Sequence, residues 1–209
     1  MYKKFVKRLL DIIFSFIAII LLLPIIIILM LLVKVFLGGP VFFKQERVGL
    51  NEKVFKMIKF RTMVNKYDDD GKLLPDEERL TKFGSFLRST SLDELPELFN
   101  ILKGDISIVG PRPLLTIYLP YYTEEERKRH NVRGGLTCPE VILGDVNPSW
   151  EKQFKAEIDY SENVSFLLDL KIVYYTILII FKRLKTNYGT VVRKPLNIER
   201  SESEVKNND

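Results

Sequence analysis

The sequence predicts an α+β protein in which an N-terminal helix inserts into a membrane and a small domain of helices packs around a short β-hairpin. Three observations carry this expectation. Residues 12–33, IIFSFIAIILLLPIIIILMLLV, hold no charge over 22 positions, close to the ~20 residues a helix needs to cross a bilayer. Residues 41–63, VFFKQERVGLNEKVFKMIKFRTM, read as two short strands around the turn GLNEK. The rest alternates short helical periodicities with one apolar strand-like run, ISIVG at 106–110.

Composition narrows the function classes. A chain of 209 residues suits one compact domain with an appended element. Its formal charge of +5 and pI of about 9.1 favour an anionic partner: nucleic acid, a phosphorylated substrate or a lipid surface. The single cysteine, Cys138, excludes an intrachain disulfide, and the single histidine, His130, argues against a His-rich metal site or a His-based triad. A metal, if used, is expected to be a hard ion held by carboxylates.

The elements follow in order. The uncharged run is longer than a signal-peptide core, and no small-x-small cleavage site follows it. Pro24, at its middle, removes a backbone hydrogen bond and predicts a kink. Basic residues flank it on both sides: Lys3, Lys4, Lys7 and Arg8 before, Lys34, Lys44 and Arg47 after. The positive-inside rule would keep both ends cytoplasmic, so a spanning helix competes with a Pro-broken one that enters and leaves by the same face. The freed carbonyls near Pro24 would then need partners, Ser15 or water among them. GGP at 38–40 ends the segment.

The hairpin is basic, with Lys56, Lys59 and Arg61. Residues 67–79 form a polar loop, and LTKFGSFLRS (80–89) a short helix. STSLDEL then opens another helix, with Ser91 and Glu94 as its capping box. After the ISIVG strand and PRP, YYTEEERKRH (121–130) reads as a charged helix, and 132–150 as loop with one strand. SWEKQFKAEIDY is helical, with Trp150, Phe154 and Ile158 at i, i+4 and i+8. Residues 166–181, FLLDLKIVYYTILIIF, form either a buried core helix or an interfacial one with Lys182, Arg183 and Lys185 at the headgroups. The polar tail after Lys194 is expected to be disordered.

The adjacent acids Asp93 and Glu94 admit two readings. Acids in a first helical turn are favoured by the helix dipole, which makes them structural. A helix start also attracts phosphate, and an aspartate can act as a nucleophile toward phosphorus. Attack on a diphosphate needs its charge neutralised, and Lys59, Arg61, Arg88 and Arg112 are the nearby cations.

These residues together resemble the small monotopic phosphoglycosyl transferases, bacterial enzymes that begin glycan assembly on polyprenol phosphate. KRLLDI with the Pro-interrupted segment, KFRTM, LTKFGSFLRSTSLDELPELFNILKGDISIVGPRPL and FLLDLKI occur in the family's order, over roughly residues 1–185. The resemblance implies that Asp93 is the nucleophile on a UDP-sugar, releasing UMP and keeping the phosphosugar. Polyprenol (undecaprenyl) phosphate then takes the phosphosugar from Asp93. Glu94 is implied as the ligand of Mg2+, and Arg88 and Arg112, with Lys59 and Arg61 on the hairpin, as phosphate or nucleotide contacts. Pro24 becomes the kink of a re-entrant helix, with the domain on the cytoplasmic face of the bacterial inner membrane.

The implied organisation is a re-entrant helix over 1–37, a catalytic domain with interfacial helices over 38–186 and a disordered tail over 187–209. Membrane lipids, the UDP-sugar, the lipid phosphate and downstream glycosyltransferases are the expected partners. Nucleic acid is not, because no aromatic-studded platform or known nucleic-acid module is visible. The segment VRGGLTCPEVILGDVNPSW (132–150) departs from the family pattern, with Gly134 or Gly135 where proline is expected and Cys138-Pro139 replacing a glycine and an aromatic. That departure bears on sugar choice. Cys138 reads as a small structural residue. A non-catalytic membrane-anchored scaffold of the same fold is the alternative.

Overall fold

The computed structural model describes residues 2–145, 147–183 and 193–207. A π-helical turn, Tyr2–Val6, leads into α1 (Lys7–Leu37), followed by β1 (Phe42–Val48) and β2 (Val54–Phe60). Next come α2 (Asp76–Arg79), α3 (Lys82–Ser89), α4 (Glu97–Lys103), β3 (Ser107–Val109), α5 (Glu124–Arg127) and β4 (Gly135–Thr137). Three helices close the chain: α6 (Trp150–Glu162), α7 (Phe166–Arg183) and α8 (Leu196–Asn207). The mixed helix-and-sheet class and the long apolar N-terminal helix are as expected. β1 and β2 pair antiparallel from Phe42↔Phe60 to Val48↔Val54. β3 and β4 add a short parallel pair.

Only 17% of the most apolar window of α1 is buried, so it is not the core helix of a water-soluble fold. It is continuous through Pro24, and Ser15 donates to the Ile12 carbonyl at 3.2 Å rather than to a carbonyl freed by the proline. Both ends of α1 touch the same domain. Near its start, Lys7 pairs with Asp169 of α7 at 2.6 Å. Arg8 donates to the Ile101 and Leu102 carbonyls at the end of α4 at 2.6 and 2.8 Å. Asp11, buried, accepts from the Ser107 hydroxyl and the Ile108 N–H. At the far end, Ile26, Leu29, Val33 and Leu37 pack with Phe60 and Leu87 in one apolar cluster. A buried carboxylate with two donors and a continuous apolar seam together anchor the helix along its length.

Several local expectations need correction. The STSLDEL segment does not open an α-helix. Leu92–Glu94 is a 3-10 turn, Ser91 has a left-handed backbone (φ 55°), and its side chain caps nothing. Pro96 explains this. In an α-helix from Leu92 its nitrogen would have to donate to the Leu92 carbonyl, and it has no hydrogen to give. The turn instead closes through the Leu95 N–H to that carbonyl, and Pro96 becomes the N-cap of α4.

The charged helix expected at 121–130 shrinks to α5 and a 3-10 turn, Lys128–Asn131. Thr123 and Glu126 form a capping box at the start of α5. In α6 the buried face includes Gln153, Glu157, Tyr160 and Ser161 beside Trp150 and Phe154, while Ile158 is only half-buried. The tail is not disordered over Leu196–Asn207, because Leu196 is fully buried among Leu114, Tyr118, Tyr122, Trp150 and Phe154. The expected domain boundary at 186/187 and the headgroup contacts of Lys182, Arg183 and Lys185 lie outside the described residues and side chains.

α7 is neither a buried helix nor a polar surface one. Asp169 and Ile172 face the domain, whereas Phe166, Leu167, Leu170, Tyr174, Ile177 and Leu178 are exposed. Asp169 fixes this orientation by accepting from Tyr2, Lys7 and Tyr160. The outward apolar stripe suits a membrane interface.

Candidate active site

One cavity of about 650 Å3 is lined by Lys59, Arg61, Arg88, Asp93, Glu94 and Arg112. All six residues singled out in the sequence therefore meet, although they come from β2, the chain after it, α3, the 3-10 turn and the loop after β3. Phe42, Phe43 and Pro40 form an apolar wall next to the end of α1.

The 3-10 turn buries Asp93 and leaves Glu94 half-buried. Asp93 loses hydration and lies beside the Glu94 charge, so its pKa is pushed up to about 6 against the pull of Lys59 and Arg88. Lys59 joins two carboxylates, with Nζ 2.7 Å from Glu94 Oε1 and 3.1 Å from Glu97 Oε1. Glu97 was not among the expected site residues. It stands at i+3 from Glu94, a spacing that places both on one side of a helical turn. Burial pushes Glu97 up to about 7.

The cations differ in what they have free. Arg61 is buried and donates to the Met63 carbonyl at 2.6 Å and the Gly39 carbonyl at 2.5 Å. It ties the cavity rim to the end of the hairpin, although it also lines the space. Arg88 donates through Nε to Thr62 Oγ1 at 3.0 Å and is otherwise exposed to the cavity. Arg112 holds Glu140 Oε1 at 3.0 Å through Nε.

Arg112 rests on a buried polar scaffold that charge patterning hid. Its N–H donates to Glu157 at 2.9 Å, and its carbonyl accepts from Arg129 at 2.6 Å. Arg129 and Glu157 pair at 2.6 Å with both side chains fully buried. In the sequence they read as ordinary surface charges of amphipathic segments. His130 packs edge-on against Tyr122, and burial pushes its pKa down to about 3, so it stays neutral. Burial pushes the Cys138 thiol well up, and with only a long contact to the Gly135 carbonyl it is unreactive.

Among the described residues no group of three or more His, Cys, Asp or Glu side chains forms a metal cage. Magnesium held on a phosphate substrate asks for less: one or two carboxylates, the remaining ligands being phosphate oxygens and water. Glu94 is compatible with that need, being half-buried on the cavity wall with one oxygen held by Lys59.

Comparison with known proteins adds a separate line. The family model described as bacterial sugar transferase matches residues 2–183. The sugar transferase EpsL of Bacillus subtilis is 49% identical over 171 residues, covering 82% of this chain and 85% of EpsL. The UDP-glucose:undecaprenyl-phosphate glucose-1-phosphate transferase of Klebsiella pneumoniae is 40% identical, over 82% of this chain and 39% of that protein. The UDP-N-acetylgalactosamine-undecaprenyl-phosphate N-acetylgalactosaminephosphotransferase of Aeromonas hydrophila is 36% identical, over 83% of this chain and 43% of its own length. The chain thus spans most of EpsL but about two fifths of the two relatives named for their substrates.

Proposed function

The chain belongs to the bacterial sugar transferase family and is a phosphoglycosyl transferase, and from that premise we propose that it moves a sugar-1-phosphate from a UDP-sugar to undecaprenyl phosphate through a covalent acyl phosphate on Asp93. One observation carries the reading: a buried aspartate beside a second carboxylate lines a cavity that also holds Lys59, Arg88 and Arg112. The substrates named for the relatives are UDP-sugars and undecaprenyl phosphate, both of which present phosphate to such a cavity.

In the first step an Asp93 oxygen attacks the phosphorus that bears the sugar. The bond from that phosphorus to the bridging oxygen breaks, and UMP leaves with the oxygen. In the second step a phosphate oxygen of the lipid attacks the same phosphorus, the phosphorus–oxygen bond of the aspartyl phosphate breaks, and Asp93 returns as a carboxylate. Arg88 and Arg112 stabilise the charge on the equatorial oxygens, and Lys59 holds Glu94 and Glu97 in place. Glu94 would hold Mg2+, which when bound supplies further positive charge to the diphosphate.

The membrane arrangement follows the same reading. α1 enters and leaves by one face, a topology supported by the attachment of both its ends to one domain. The exposed stripe of α7 lies at the headgroups, on the cytoplasmic side of the inner membrane. The nucleophile then sits at the depth of the lipid phosphate, so the second substrate need not leave the bilayer.

The test is release of UMP from purified protein with undecaprenyl phosphate, Mg2+ and a panel of UDP-sugars. Wild type should release UMP from at least one, and chelation or Asp93→Asn should lower the rate by ~10^3-fold or more. Release from no sugar would favour a scaffold role, and normal turnover by Asp93→Asn would overturn the nucleophile.

A further inference from the structure

Behind Arg112 lies a second cavity of about 330 Å3, within the size range of small-ligand sites. Arg112 lines both cavities. Glu140 forms part of the wall, with one oxygen on Arg112 and the other, buried, without a partner. Opposite charge comes from Arg193, which precedes α8 and lies beyond the family match that ends at residue 183. Its guanidinium stacks on Trp150 at 3.4 Å and donates to Gln153 Oε1 at 2.8 Å and to the Pro148 carbonyl. Among the described residues no carboxylate pairs with it.

We propose that this second cavity is the subsite for the sugar ring of the donor, with Glu140 and Arg193 as its specificity-determining residues. The inference rests on the two-step reading above. Two in-line displacements at one phosphorus each occur opposite Asp93. The departing UMP and the arriving lipid phosphate therefore use the same side, in the larger cavity. The sugar must lie off that axis, yet within reach of the same phosphorus. The space beyond Arg112 shares that arginine with the larger cavity, while Asp93 lines only the larger one. The lining of the smaller cavity also suits a neutral polyhydroxylated ring, since a carboxylate accepts from hydroxyls while a guanidinium donates to their oxygens. A buried acceptor with an unused lone pair is costly unless a ligand or water satisfies it.

The segment that departs from the family pattern supplies Glu140, and the terminal strap supplies Arg193. α8 holds that strap in place: Leu196 is buried, and Arg200 pairs with Glu126. The subsite is therefore assembled from one residue inside the family match and one beyond its end.

The proposal is tested by binding, on the full chain in nanodiscs and in an Asp93→Asn background. The probes are UMP and UDP-glucose, UDP-galactose, UDP-N-acetylglucosamine and UDP-N-acetylgalactosamine. Glu140→Gln, which keeps size and removes charge, should weaken the best-bound UDP-sugar tenfold or more and change UMP affinity less than twofold. Arg193→Lys should give the same split and alter the ranking of the sugars. Parallel losses for UMP and UDP-sugars, no loss for either, or a wild type that binds no UDP-sugar more tightly than UMP would each overturn the subsite. Turnover by Asp93→Asn would overturn the aspartyl mechanism alone, leaving the binding split as a separate result.

Discussion

As the proposed nucleophile, Asp93 would attack only as a carboxylate, and its surroundings favour the proton. Burial and the neighbouring Glu94 push its pKa up to about 6, so its charged fraction falls as pH drops through that value. UMP release should be level above pH 7, reach half near pH 6, and fall about tenfold per unit below pH 5, as a pH–rate profile would record. A rate unchanged down to pH 5 would contradict the assignment. The Asp-Glu pair was legible in the sequence only as one open to a structural or a chemical reading, and the family resemblance turned it towards chemistry. Glu97 and the Arg129–Glu157 pair were not legible. A charge in an amphipathic segment defaults to solvent, yet Glu97 is buried beside Lys59 of β2, and Arg129 and Glu157 are buried against the loop after β3.

At the scale of elements, the position of Arg112 depends on how closely β3 meets β4. A Cβ on Gly135 would stand 2.1 Å from the Gly110 nitrogen and 2.4 Å from the Thr137 carbonyl oxygen. Gly135→Ala should therefore force the two strands apart, lowering stability by ~1–3 kcal/mol in a denaturant titration. An unchanged midpoint would mean the contact yields at no cost. The hairpin, α3, the ISIVG strand and the long helix were all readable from period and composition. The capping box was misread because the Ser-x-x-Glu pattern ignores Pro96, two residues further on, which breaks the backbone ladder. The terminal helix was missed for a related reason: its sequence is polar, and the single Leu196 that docks it gives no periodic signal.

For the whole molecule the question is how the domain meets the membrane. Charges on both flanks of the apolar run suggested that both ends share a side, and the structure fastens both ends of α1 to one folded body. Single cysteines replacing Lys3 and Lys44, both exposed, should be labelled from the same, cytoplasmic side of sealed vesicles. Labelling from opposite sides would mean that α1 spans. The buried Cys138 should stay unlabelled in the folded chain.

The aspartyl intermediate is the claim on which the catalytic account depends, and intact-protein mass spectrometry tests it most directly. The full chain is incubated with Mg2+ and its UDP-sugar, without lipid acceptor. The account predicts a mass increase of one sugar phosphate that maps to Asp93, is absent from Asp93→Asn, and disappears when undecaprenyl phosphate is added. Steady turnover by wild type with no such adduct, together with turnover by Asp93→Asn, would contradict it.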